Sequence, residues 1–327
     1  MSKKVYRIND FFPLDVPRLG QTLIMDELTD NWDKFDVAVI DMPVGSGKSA
    51  VADAIARYAS SARTKKTTDG AVIVANNNVL LDQYIRGTRG YSTLRRKDSY
   101  FCPAHDMSCE ERNKKVGGHC KSPTGNVHHR GGCEYLRDLR GARSATKLLV
   151  NQHIYLAHSL YRDVVIFDEA HTLQHMLQEA AAKSYWSKEL ETTDDVQDWL
   201  DSVPADDFDE SLELLRDVLT GVNTSYSIQI GEQDWRGRPE ECVRLLPLDV
   251  RDAATTMWPR RGRQCKVILM SATINTVDIR NLGLDDRRVV YLTCPSPIPA
   301  EQRPCHVIPI ADMRYSNRSE QVRNLAH

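Results

Sequence analysis

Residues 37–41, Val-Ala-Val-Ile-Asp, run directly into Met42-Pro-Val-Gly-Ser-Gly-Lys-Ser49 and then into the segment 50–59, Ala-Val-Ala-Asp-Ala-Ile-Ala-Arg-Tyr-Ala. The first stretch is short, apolar and rich in valine and isoleucine, the make-up of a buried strand. The last is dominated by alanine, the best helix former. Between them lies a glycine-rich strand-to-helix turn. The backbone N–H groups of such a turn, with the positive end of the helix behind it, cradle phosphates. Lys48 then reaches the β- and γ-phosphates, and the Ser49 hydroxyl is placed to bind magnesium. Gly45, Ser46 and Gly47 complete the loop, while Met42 stands where the general pattern has a glycine. The bland alternative is a turn that binds nothing.

Further apolar runs follow at 71–75 (Ala-Val-Ile-Val-Ala), 148–150, 164–167 (Val-Val-Ile-Phe) and 266–270 (Lys-Val-Ile-Leu-Met). Helical stretches intervene, at 79–85 and, largely helical and acidic, at 174–217. Short apolar strands alternating with helices predict an α/β fold, a parallel sheet with helices on both faces. No internal repeat or low-complexity tract is present. The strand at 164–167 leads into Asp168-Glu-Ala-His171, and the strand at 266–270 leads into Ser271-Ala-Thr-Ile274. A carboxylate at a strand end, here Asp168, can hold magnesium, and Glu169 is placed to orient or deprotonate an attacking water. Alone, an acidic strand-to-helix turn is weak. Downstream of a phosphate loop, with Ser271-Ala272-Thr273 further on, the set predicts nucleotide hydrolysis.

The chain has 327 residues, enough for roughly two domains. With 41% hydrophobic and 27% charged residues, its composition is that of a globular protein and excludes wholesale disorder. No apolar run reaches the roughly 18 residues of a membrane span. The N-terminal Met-Ser-Lys-Lys-Val-Tyr-Arg-Ile-Asn-Asp-Phe-Phe has no apolar signal core, so a cytoplasmic or nucleoid-associated location is expected. The formal net charge is −2, so any polyanion site must be a local patch. One such patch is legible: from Tyr84 to Lys147 there are 14 Lys and Arg against 6 Asp and Glu. From Glu189 to Asp217 there are 12 acidic residues and one Arg, read as a solvated face.

Of eight cysteines, Cys102, Cys109, Cys120 and Cys133 fall within 32 residues, spaced C-x6-C-x10-C-x12-C. In a chain without a secretory signal, clustering favours a metal site over disulfides. The tight CxxC knuckle usual in structural zinc sites is absent, and four irregularly spaced thiolates can hold a four-iron four-sulfur cluster. His105, His119, His128 and His129 crowd the same stretch and keep a zinc site open as the alternative. Few apolar residues lie between 86 and 135, so that stretch needs a source of order other than a core. Arg95, Arg96, Lys97 and Tyr100 form a basic and aromatic edge of the kind that suits single-stranded DNA.

Taken together, these segments resemble superfamily 2 helicases and, more closely, the iron–sulfur branch typified by XPD and DinG. That branch writes Met-Pro before the glycines of its phosphate loop, as Met42-Pro43 does, with Asp-Glu-Ala-His and Ser-Ala-Thr as later motifs. Arg18-Leu-Gly-Gln21 resembles its Q-type motif, which implies that Gln21 contacts adenine. Asn76 to Gln83 occupies the position of motif Ia, with asparagines where threonine is usual. Asn151-Gln-His153 resembles a segment upstream of Asp-Glu-Ala-His. The four clustered cysteines lie where the family inserts its cluster domain, and Ser184 to Arg263 lies where it inserts a helical arch. Trp186, Trp199, Trp235 and Trp258 are read as core rather than as base-stacking platforms.

The resemblance implies a RecA-like motor domain in pieces. The expected boundaries are 1–90, 148–183 and 264–300 for the motor, 91–147 for the cluster insertion and 184–263 for the helical arch-like insertion. Residues 301–327 would begin a second motor domain, Cys294-Pro-Ser-Pro-Ile-Pro forming its entrance. The 53 residues after Ile274 hold no Q-x-x-G-R-x-x-R and are too few for a second domain of about 150 residues. The expectation is an ATP- and magnesium-binding DNA helicase motor, 5′ to 3′ by resemblance. It would act on single-stranded or forked DNA and draw its second half from another polypeptide or a missing segment. Two other readings remain open at this point: a nucleotide-gated DNA-binding or regulatory subunit, and a zinc-stabilised P-loop ATPase unrelated to DNA.

Overall fold

In a computed structural model of the chain, the described residues are 5–297 apart from 65, 68, 103–104, 117–132, 187–191, 205–208, 236–237, 256, 259–264 and 275. Their elements all belong to one compact unit, Met1–Pro295. The first half contains α1 (Leu19–Asp30), β1 (Val37–Asp41), α2 (Lys48–Ser60), β2 (Ala71–Ala75), α3 (Asn78–Gly87), β3 (Ser92–Thr93), β4 (Phe101–Cys102), β5 (Met107–Ser108), α4 (Cys109–Val116), α5 (Glu134–Ser144), β6 (Lys147–Asn151), α6 (Gln152–His158) and β7 (Val164–Asp168). There follow α7 (Leu173–Ala181), β8 (Lys183–Trp186), α8 (Thr193–Ser202), α9 (Glu210–Leu219), β9 (Tyr226–Trp235), β10 (Arg238–Pro247), α10 (Arg251–Ala254), β11 (Lys266–Ser271), α11 (Thr276–Asn281) and β12 (Val289–Thr293).

Among the described residues, seven strands make one parallel sheet in the order β12-β1-β11-β7-β2-β6-β3. Successive side chains of a strand face opposite sides, and β1 shows the consequence. Val37 and Val39 enter one core with Tyr155, Phe167, Leu173 and Trp258, while Ala38 and Ile40 enter a second with Ile24, Met25, Ile55 and Leu81. Both sheet faces are therefore covered by helices, as the strand pattern predicted. The strands at 37–41 and 71–75 coincide with their expected bounds, and β6, β7 and β11 each extend one residue or more beyond theirs. β12, Val-Val-Tyr-Leu-Thr, was not anticipated; it is the edge strand beside β1. Among the described residues no helix is long and apolar enough to cross a membrane.

The segment 184–263 departs from the expected helical insertion. It holds α8 and α9, but also an antiparallel sheet in the order β8-β10-β9. The physical reason is a period of two. Ile228 and Ile230 pack inward while Gln229 and Gly231 are exposed, and Val243 and Leu245 on the paired strand face the same cluster. Val196, Leu200, Leu215 and Val218 cover that face from the two helices. Trp199 packs against this cluster and Trp258 is buried in the main core, its indole N–H donating to the Leu282 carbonyl at 3.0 Å. Trp186 is half-buried, and the Trp235 side chain lies outside the described residues.

The stretch 86–135 has more core of its own than its composition implied. Leu94, Tyr100, Cys109 and Tyr135 are all buried in the main core. β3 pairs with β6, so residues 92–93 belong to the sheet itself.

Candidate functional site

The phosphate loop leaves β1 at Asp41 and enters α2 at Lys48. Gly45 and Gly47 both adopt left-handed backbone, φ +79° and +82°, which glycine alone takes without steric cost. Gly47 is doubly constrained, because a Cβ there would lie 2.3 Å from Gln21 Nε2. Gln21 is 4% exposed. Its Nε2 donates to the Ser46 and Gly47 carbonyls at 3.0 and 3.2 Å, and its Oε1 accepts the Arg18 backbone N–H at 2.8 Å. The whole amide of Gln21 is thus engaged by backbone, and the Arg18 guanidinium donates to the Gly45 carbonyl. The Q-type segment acts here as a strut beneath the loop. Ser46 Oγ closes the turn by donating to the Pro43 carbonyl at 2.6 Å.

Asp168 ends β7, two strands from β1, and is 1% exposed. Its Oδ2 accepts the Tyr84 hydroxyl at 2.7 Å and faces Ser49 Oγ at 3.5 Å, while Oδ1 accepts the Glu169 N–H at 3.0 Å. Burial pushes the Asp168 carboxyl above its ordinary value, against the Tyr84 hydrogen bond that favours the charged form. Burial, with Asp168 alongside, also pushes the Tyr84 hydroxyl well up, so it stays a donor. A hydroxyl and a carboxylate facing each other beside a phosphate loop are hard oxygen donors, the set that suits magnesium.

Glu169 takes left-handed backbone, φ 56° and ψ 49°, unusual for a residue with a side chain. Its carbonyl accepts from Thr172 Oγ1 at 2.9 Å and from the Thr172 N–H at 3.2 Å, which holds the turn. The turn aims Glu169 at the loop, with Oε1 3.3 Å from Lys48 Nζ and Oε2 3.4 Å from His171 Nδ1. His171 Nδ1 also lies 2.8 Å from Ser271 Oγ, which in turn accepts the Thr273 N–H at 3.2 Å. Ala272 lies between them, half-buried. The backbone completes the junction, Met42 N–H donating to the Ser271 carbonyl at 2.9 Å. Strand order explains the meeting: β11 separates β1 from β7, so the Ser-Ala-Thr turn emerges between the phosphate loop and Asp168.

Several contributors were not legible as site residues. Tyr84 lies one residue beyond the quoted motif Ia segment, on the face of α3 that also buries Leu81; that three-residue spacing was its only signal. Asn151 caps α6 through Ile154 N–H at 2.9 Å and donates to Asn78 Oδ1 at 2.7 Å. Gln152 Nε2 donates to Thr172 Oγ1 at 3.0 Å, beneath the Glu169 turn. His153 is exposed.

At the other end of the basic stretch, Cys102 and Met107 pair across β4 and β5, and the Cys109 N–H donates to the Tyr100 carbonyl at 2.8 Å. Cys133 precedes α5, whose Tyr135 meets Tyr100 edge-on, centroids 5.3 Å apart. Burial and the nearby Cys109 push the Tyr135 hydroxyl up, with Cys133 contributing in the same sense. Cys109 and Cys133 therefore both lie by Tyr135, while Cys102 follows Tyr100 by two residues on β4. Cys120, His119, His128 and His129 lie outside the described residues, and His105 is exposed. Among the described residues, no three His, Cys, Asp or Glu side chains are grouped to hold a metal.

The expected basic and aromatic edge is altered in one member. Tyr100 is buried, its oxygen accepting the Arg95 N–H at 3.2 Å, because its ring is needed against Tyr135. Its neighbour Phe101 is 56% exposed. Arg95 pairs with Asp82 and Lys97 stands over the Tyr135 ring at 5.6 Å, whereas Arg86, Arg89 and Arg96 are exposed.

No curated protein matches the chain. A solved structure described as truncated XPD aligns with 85% of this chain and 99% of its own, at 14% identity and a TM-score of 0.44. The family model described as "Type III restriction enzyme, res subunit" matches residues 15–192, more than half of the sequence and the span holding the phosphate loop, Tyr84 and Asp168-Glu169, and the chain belongs to that family.

Proposed function

We propose that this chain is an ATP-dependent motor domain of the helicase type that binds ATP with magnesium and acts on single-stranded or forked DNA. The observation that carries this reading is the single junction of Lys48, Ser49, Asp168, Glu169 and, through His171, Ser271. Gly45 to Ser49 would hold the phosphates through backbone N–H groups and the start of α2. Lys48 would leave Glu169 for the phosphates, freeing the carboxylate to take a proton from the attacking water. Ser49 and Asp168 would hold magnesium, which when bound would supply positive charge against the phosphates. Ser271, Ala272 and Thr273 would couple that event to domain motion.

The finer reading is of the XPD/DinG-like kind, moving 5′ to 3′, in the cytoplasm or on the nucleoid. A second RecA-like half would supply the arginine that completes the ATP site. Cys102, Cys109, Cys120 and Cys133 would hold a four-iron four-sulfur cluster; the absence of a tight CxxC knuckle from their spacing favours this over zinc. When bound, the cluster would supply structural order to the stretch.

The test is phosphate release from ATP by the purified chain, with and without single-stranded DNA, and the visible spectrum of anaerobically prepared protein. Slow hydrolysis that rises with DNA and a brown protein are expected. Absence of nucleotide binding removes the motor reading, and a colourless protein containing zinc removes the cluster.

A further inference from the structure

We infer that Tyr84 is a positioning residue for the magnesium carboxylate, fixing Asp168 from outside the nucleotide motifs. Tyr84 is 2% exposed, and its hydroxyl donates to Asp168 Oδ2 at 2.7 Å, a length typical of a bond to a charged oxygen. Three donors from three elements surround that carboxylate: Tyr84 from α3, Ser49 at 3.5 Å from α2, and the Glu169 N–H at 3.0 Å from its own turn. Oδ1 is held by backbone. Oδ2, the oxygen facing Ser49, is held at hydrogen-bond length by Tyr84, so the tyrosine decides where the magnesium-facing oxygen points.

The rest of α3 gives this contact its reach. Its first turn is capped by Asn77, whose side chain accepts the Leu80 N–H at 2.9 Å, and Asn78 is bonded to Asn151 at the end of β6. Leu81 and Tyr84 are the buried face, while Asn77, Asn78 and Val79 are exposed. A tilt of α3 at its exposed end is therefore felt at Asp168. Partners that orient a ligating carboxylate typically contribute about 10–100-fold to metal affinity.

A second tyrosine–carboxylate pair, between half-buried Tyr91 and buried Asp53, serves as an internal control. Tyr91 donates to Asp53 Oδ1 at 2.6 Å, but Asp53 is already paired with Arg57 at 2.8 Å and has no part in the nucleotide junction. A tyrosine acting only through packing would behave alike at both positions.

The inference rests on the reading of Asp168 as the magnesium carboxylate, and the experiment separates the two. Manganese would be titrated into the full chain with ADP bound, free manganese followed by paramagnetic resonance, and ADP binding measured separately in EDTA. Tyr84→Phe should weaken manganese binding about 10–100-fold while metal-free ADP binding stays as in the wild type. Tyr91→Phe should change neither. Equal manganese affinity in Tyr84→Phe and wild type overturns the role of Tyr84 and leaves the magnesium reading standing. Absence of ADP-dependent manganese uptake by the wild type overturns both. Should Tyr84→Phe fail to fold, 3-fluorotyrosine at position 84 replaces it. Its fluorine resonance should move when magnesium reaches the ADP-bound chain, with the same label at position 91 unmoved; a resonance at 84 that ignores magnesium overturns the inference.

Discussion

Lys48 Nζ lies 3.3 Å from Glu169 Oε1, so the cation proposed to meet the phosphates is paired with the carboxylate proposed to take a proton from water. The lysine side chain is only 10% exposed, which sets the pair apart from surface ion pairs that contribute little. On the proposed function, bound nucleotide would exchange one partner of Lys48 for another. Lys48→Ala removes a charge-assisted donor to phosphate, a contact of about 1.5–3 kcal/mol, or roughly 10–150-fold in affinity. Calorimetric titration with ATP and magnesium should show that loss at unchanged circular dichroism. Wild-type affinity in the folded variant would remove the phosphate-loop assignment.

Glu169→Gln should retain ATP binding and lose hydrolysis. Glutamine carries the same left-handed backbone strain as glutamate, so the turn is no worse off. It can still accept a hydrogen bond from Lys48, but it takes no proton from water. Loss of a general base typically lowers the rate about 10²–10⁴-fold. Phosphate release at the wild-type rate from the variant would exclude Glu169 as the base.

The site was more legible than the insertions, for a physical reason. Residues 37–49, 164–171 and 266–273 each couple a continuous apolar run to a turn whose chemistry is local, so the sequence carries both the element and its cargo. Tyr84 and Gln21 act through contacts 84 and 25 positions away, to Asp168 and Ser46. The strand order, with β7 beside β2, brings Tyr84 to Asp168, and the packing of α1 under the loop brings Gln21 to Ser46. Between 184 and 263 the acidic helices masked a weaker alternation at 226–247, which became a sheet because its apolar side is covered by α8 and α9. Tyr100 was misjudged because burial by Tyr135, 35 positions on, leaves no local mark.

Cys→Ser at Cys102, Cys109, Cys120 or Cys133 should lose the metal and loosen the stretch 91–147, seen as faster amide exchange there. The scattered cysteines should behave otherwise. Burial pushes the Cys242 and Cys294 thiols up and the Cys265 thiol to about 12, conditions that oppose the thiolate a metal requires. Serine at Cys242 or Cys294 should leave iron or zinc content, measured by elemental analysis, unchanged. Equal loss from both groups would dissolve the distinction between them.

The edge strand β12 is fastened at its start by Arg288, which donates to Asp36 at 2.9 and 2.7 Å. That hydrogen bonding holds the Asp36 carboxyl below its ordinary value. A depressed carboxyl stabilises the fold above its unfolded pKa, near 3.8, and that contribution fades as pH falls through the lower folded value. Arg288→Ala should lower the melting temperature slightly at pH 7. The gap between variant and wild type should begin to narrow below about pH 4 and close only below the depressed folded value of Asp36; a gap that persists in stronger acid would assign it to packing.

Nucleic-acid binding should divide into a salt-sensitive and a salt-insensitive part. The exposed Arg86, Arg89 and Arg96 offer phosphate contacts, and each phosphate neutralised adds roughly −0.7 to the slope of log affinity against log salt for single strands. Phe101, 56% exposed, offers a stacking surface worth about 1–3 kcal/mol per base. Phe101→Ala should therefore weaken binding of a fluorescent single-stranded oligonucleotide roughly 5–150-fold with its salt slope unchanged. Arg96→Ala should flatten the slope and weaken binding similarly for every sequence. Hydrolysis by the chain alone should remain slow throughout. In related enzymes a transition-state arginine contributes about 10³–10⁵ in rate. Here the Arg18 guanidinium is bonded to the Gly45 carbonyl under the loop, while Lys48 and Glu169 hold each other. Rapid unwinding by the purified chain would mean that an arginine reaches the phosphates from a second copy, and hydrolysis would then rise with the square of protein concentration in the dilute limit; a linear rise would assign the arginine to the same chain.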